Sequence, residues 1–159
     1  MRQGARYPWP LPGLPQTGAG YNGRLVEHRP RVLVASQPEA WKRLRPVIEG
    51  LVDVVVAPTS TAAFQVLDQQ RIDAIICTIA FDDSRMIDFL QVVKRTERSG
   101  AIPFICSRVL PGALGDEMVR TTAMISEQCG AATFVDIAKV DDDKARALFR
   151  AAFAACLGK

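Results

Sequence analysis

Five short apolar runs recur along the chain: RVLVAS (31–36), VDVVVA (52–57), DAIICT (73–78), IPFICS (102–107) and ATFVDI (132–137). Each is strand-length and rich in β-branched residues, and each is followed by a stretch with helical periodicity. Strands that are apolar on both faces need cover on both sides, which a parallel sheet between two helix layers supplies. Right-handed crossovers then give a doubly wound α/β fold whose crevice lies at the carboxyl ends of the strands.

The intervening stretches support this reading. In PEAWKRLRPVIEGL, Trp41, Leu44, Ile48 and Leu51 fall at spacings of three and four, and Pro46 marks a point where that helix can kink. TSTAAFQVLDQQ opens with a Thr or Ser cap, and SRMIDFLQVVKRTERSG carries a stripe of Met86, Phe89, Leu90 and Val93 with Gly100 as its expected stop. DEMVRTTAMISEQCG is the fourth helix. In the fifth, Asp141 to Asp143 suit the N-terminus, and Leu148, Phe149, Ala152 and Cys156 make the buried stripe.

The first thirty residues are different, with five prolines, five glycines and no apolar period. They read as a Pro/Gly-rich flexible extension (1–30) ahead of one domain (31–159), with Trp9, Leu11 and Leu14 as residues able to dock on a partner or on the domain. Arg2, Arg6, Arg24 and Arg29 against Glu27 place the entire net charge of +3 in this segment. The rest is neutral, without the basic excess of a nucleic-acid-binding domain, so no nucleic-acid partner is expected.

No apolar run approaches the ~20 residues of a membrane span, so no membrane association is expected. Cys77, Cys106, Cys129 and Cys156 form no CxxC pair, and they read as reduced thiols of a cytoplasmic protein. Cys77 and Cys106 lie near the tips of the third and fourth strands, and core thiols are the expected reading. The only histidine, His28, lies in the extension, so no nucleophile with a histidine base and no zinc set can be assembled. The turn ASQPEAWKR lacks the glycines of a phosphate cradle. Neither a cofactor nor a metal is expected, and no enzymatic activity.

Residues 31–157, through RVLVASQPEA, DAIICT, IPFICS and GAATFVDI, resemble the receiver domain of bacterial two-component response regulators. The resemblance implies a flavodoxin-like (βα)5 fold with strand order 2-1-3-4-5. It also implies a phosphoacceptor aspartate at the tip of the third strand and two metal-holding acids after the first. Those positions fall here on Thr78 and on Ser36 and Gln37. The hydroxyl expected after the fourth strand falls on Arg108, or on Ser107 if the alignment slips by one. The lysine expected after the fifth falls on Ile137, with Lys139 two residues on, and Phe134 occupies the position of the switching aromatic.

The resemblance therefore implies a degenerate receiver, or pseudo-receiver. It would serve as a phosphorylation-independent protein-interaction module in bacterial signalling or regulation, with no output domain following. Its partner would be a signalling or transcription protein, or a second copy through helix four, strand five and helix five.

Two alternatives stay open. If the third strand ran on to Phe81, Asp82 or Asp83 would reach its tip as a metal pair or displaced acceptor; otherwise Asp82, Asp83 or Ser84 caps the following helix. The loop Phe81, Asp82, Asp83, Ser84 and Arg85 is also a candidate recognition loop. The second alternative is a thiol or small-ligand sensor using Cys77, Cys106 or Arg108. That arginine is expected in an outward salt bridge, or else bound to an anion or to Asp82.

Overall fold

The structure, a computed structural model, describes residues 29–112 and 114–158. Five strands, β1 (Arg31–Ala35), β2 (Asp53–Ala57), β3 (Ala74–Thr78), β4 (Phe104–Arg108) and β5 (Thr133–Asp136), form one parallel sheet in the order β2-β1-β3-β4-β5. The helices are α1 (Pro38–Ile48), α2 (Ser60–Gln69), α3 (Met86–Arg95), α4 (Asp116–Gln128) and α5 (Asp142–Leu157). The doubly wound fold expected from the apolar runs is the fold observed.

The two-residue period of the strands divides the core. Val32, Val34, Ile76 and Ile105 face α1 and α5, meeting Leu44, Ile48 and Phe149. Their neighbours Leu33, Ile75, Phe104 and Cys106 face the other way, against Ala63 of α2 and Phe89, Leu90 and Val93 of α3. Phe89 anchors that layer, with ring centroids 5.1, 5.2 and 5.8 Å from Phe64, Phe81 and Phe104. Burial on both faces holds for β3 and β4. The edge strands β2 and β5 are only partly buried, because each has a sheet neighbour on one side alone.

Local signals fix most helix starts. Pro38 opens α1, where its missing N–H costs nothing, and Pro46 lies inside a helix that still continues to Ile48. The Thr59 hydroxyl accepts from the Ala62 amide at 3.1 Å, and Asp141 caps α5 by accepting from the Lys144 amide at 2.9 Å. One expected stop moves: α3 ends at Arg95 with Thr96 as its C-cap, ahead of Gly100. Gly100 serves the turn that follows, where a Cβ would stand 2.9 Å from the Lys94 carbonyl oxygen.

The expected extension, 1–30, falls outside the described residues up to residue 28, together with Trp9 and His28. Of its last residues, Pro30 already joins the fold, its carbonyl accepting from the Asp53 amide at 2.9 Å. No helix of the described residues is long and apolar enough to cross a membrane.

Candidate functional site

The carboxyl ends of β1 and β3 bring Ser36, Gln37 and Thr78 together, with Ser107 beside Thr78 in the β3–β4 register. All are neutral. Ser36 is buried, its amide donating to Ala57 O at 3.1 Å and its hydroxyl to Gln37 O at 2.9 Å. The Ser107 hydroxyl donates to Val135 O at 2.7 Å. Thr78 Oγ1 and Gln37 Oε1 are buried with no hydrogen-bond partner among the described residues. Ile137 is fully buried in the α1–α5 core, and Phe134 is half-buried against the opposite one. No group of three or more His, Cys, Asp or Glu among the described residues is placed to hold a metal ion.

The acidic loop takes a different course from either sequence expectation. Strand β3 stops at Thr78, so it does not carry Asp82 and Asp83 to its tip. Phe81 is buried, and Asp82, Asp83 and Ser84 follow with φ of 50°, 60° and 63°. Three consecutive non-glycine residues in the left-handed region form a turn that L-residues rarely sustain. The turn delivers Asp82 to α2 instead of to α3. Asp82 Oδ2 accepts from the Ser60 amide at 3.0 Å, and hydrogen bonding from Ser60 holds its carboxyl below the usual carboxylate range. Helix α3 starts without a side-chain cap, and Asp83, Ser84 and Arg85 are exposed.

Arg108 corrects a second expectation. Its side chain is only 9% exposed and forms a bidentate pair with Asp136, Nε to Oδ1 at 3.0 Å and Nη2 to Oδ2 at 2.7 Å. The expected salt bridge is present, but it is made with Asp136 and almost out of solvent, and Asp82 takes no part in it. Nη2 also lies 3.5 Å from Asp116 Oδ1, and Lys139 Nζ donates to both oxygens of Asp116 at 3.0 and 3.1 Å. Lys139, then Arg108, hold the Asp116 carboxyl below its ordinary range, and Asp136 keeps Arg108 firmly protonated. With Val119 and Arg120 these residues line a cleft of about 280 Å³. Sequence reasoning missed Asp116 and Asp136. Aligning the ends of the fourth and fifth apolar runs sets Arg108 opposite Ala138, and only the observed register, two residues away from that alignment, pairs it with Asp136.

Cys77 and Cys106 are register partners, buried and free. Burial pushes the Cys77 thiol well up and the Cys106 thiol to about 12. Exposed apolar residues concentrate elsewhere. Leu110, Leu114, Met118, Met124 and Ile125 are five of the seven large exposed hydrophobics among the described residues, and all lie on α4 or just before it. Helix α4 buries Val119 and Ser126 and leaves Met118, Thr121 and Ile125 outward at spacings of three and four.

The sheet order, the two helix layers and the strand-tip crevice are those of the response-regulator receiver fold. The chain is similar to a protein from Chloroflexus aurantiacus described as a response regulator, with TM-score 0.63 and 16% identity over 82% of this chain and 99% of that one. It is similar to the phosphorylated cyanobacterial phytochrome response regulator RcpA, with TM-score 0.62 and 13% identity over 82% and 95%. The signal receiver domain of an HD domain-containing protein from Pseudomonas fluorescens gives TM-score 0.60 and 18% identity over 83% and 100%. No protein-family model and no curated protein matches the sequence.

Proposed function

We propose that the chain is a degenerate receiver: a protein-interaction module of bacterial signal transduction that works without phosphorylation and is not an enzyme. The observation that carries this reading is the chemistry of the strand tips. Ser36, Gln37 and Thr78 supply no carboxylate, and the nearest acid in the loop, Asp82, is engaged on the Ser60 amide. A hard divalent cation seeks clustered anionic oxygens, and magnesium dehydrates reluctantly even for good sites. A hydroxyl or amide cannot form the acyl phosphate that an aspartate forms.

Recognition is then left to surface chemistry. The α4 face supports it, since Met118, Met124 and Ile125 are 53%, 60% and 42% exposed on one helix. A signalling or transcription protein is the proposed partner on the face built by α4, β5 and α5, in the cytoplasm. A second copy is disfavoured on that face, since both ends of α4 carry acids, Asp116 and Glu127, that would meet their own kind in either orientation.

Treating the protein with millimolar magnesium and acetyl phosphate tests the reading. The expected result is no added mass, no magnesium-dependent change in Trp41 fluorescence and no change in oligomeric mass by light scattering. Thr78→Asp alone should not restore phosphorylation, because the positions of Ser36 and Gln37 still lack charge. A base-labile adduct that disappears in Asp82→Asn or Asp83→Asn overturns the reading in favour of a displaced acceptor. Asp83 is the stronger candidate for that role, being exposed on the left-handed turn.

A further inference from the structure

We propose that the cleft at the start of α4 binds a compact oxyanion, a phosphate or phosphomonoester group, held by Arg120, Lys139 and the free edge of Arg108. This site belongs to the isolated protein and does not depend on the docking reading.

The cleft, about 280 Å³, is large enough for a phosphate group and part of what it is attached to. Three cations and two acids line it, and the acids are already matched: Asp136 by the fork of Arg108, and Asp116 by Lys139. Arg120 is left over, with no ion pair among the described residues. On Arg108, Nε and Nη2 are engaged while Nη1 donates to nothing among the described residues. A guanidinium held in a fixed plane and almost fully buried is a prepaid oxyanion donor, since its orientation costs nothing further on binding.

Two of these cations, Lys139 and Arg108, already hold an oxyanion in this geometry. The Asp116 carboxylate lies between Lys139, at 3.0 and 3.1 Å, and Arg108, at 3.5 Å. That carboxylate is 58% exposed and sits on the first residue of α4, free to swing outward. It acts as an internal occupant of modest strength: a monoanion on a short side chain. A phosphoryl dianion would outcompete it for Lys139, recruit Arg120 and gain from the positive end of α4, whose N-cap, Gly115, provides no side-chain acceptor.

The test is an amide NMR titration of the full chain with inorganic phosphate and with glycerol 3-phosphate, at constant ionic strength against chloride. The expected result is saturable shifts confined to residues 116–120 and 136–139. Arg120→Gln or Lys139→Gln should weaken binding about tenfold, and Arg98→Gln, which removes a distant pair, should leave it unchanged. Asp116→Asn should tighten binding severalfold by removing the internal competitor, which a loss of folding cannot mimic. Tighter binding of glycerol 3-phosphate would assign the site to an organic phosphate, and equal binding to the inorganic ion. Shifts that are linear, shared with chloride, or unaffected by Arg120→Gln and Asp116→Asn would overturn the proposal.

Discussion

Thr78 and its neighbours show how much one side chain decides. The Thr78 hydroxyl is buried beside Ser36 and Ser107, where its polarity is a cost that no hydrogen bond from the described residues offsets. One position earlier, Cys77 and Cys106 face each other across β3 and β4 as neutral thiols. Thiolate is the reactive form, and burial holds both groups protonated, Cys106 up to about 12. Any stability that rests on these neutral thiols is complete below the ordinary thiol range and fades as the pH rises towards the raised values. Native protein at pH 8 should therefore leave Cys77 and Cys106 unlabelled by a thiol reagent until it unfolds, as read by mass spectrometry of peptides. Rapid labelling of either, or a disulfide between them, would favour the thiol-sensor alternative.

Among the elements, α2 is held at its start by two separate acceptors, Thr59 from its own loop and Asp82 from the loop after β3. Because hydrogen bonding keeps the Asp82 carboxyl below its ordinary range, its contribution is complete above about pH 4 and fades as the pH falls through the lowered value. The stability of the parent chain, read by denaturant unfolding, should fall with acid more steeply below about pH 4 than that of Asp82→Asn. Identical slopes would mean that the Ser60 contact does not hold in solution. This contact also marks where sequence reading stops. Strands and helix stripes were legible because their periods are local, and Thr59 was legible because a cap and its amide lie three residues apart. Asp82 and Ser60 are 22 residues apart, and Arg108 and Asp136 are 28 apart, so only the sheet order brings each pair together. Gly100 reads in the sequence as a helix stop but serves a close backbone approach, since both tasks use the same residue.

At the scale of the molecule, both layers of the core are complete in sequence order from Val32 to Phe153 among the described residues. Deleting residues 1–28 should therefore shift the melting temperature by less than about 3 °C, which corresponds to about 1 kcal/mol for a chain of this size. A larger drop would place Trp9 or Tyr21 in the core and move the domain boundary. The strand order has a consequence for how the chain comes into being. Strand β1 lies between β2 and β3, yet Val32 precedes its β3 neighbour Ala74 by 42 residues. A ribosome making this protein releases β1, α1, β2 and α2 while one edge of β1 still has no strand to pair with. Val32, Leu33 and Val34 wait through that interval as an open edge on which another chain could pair, and the arrival of β3 closes it.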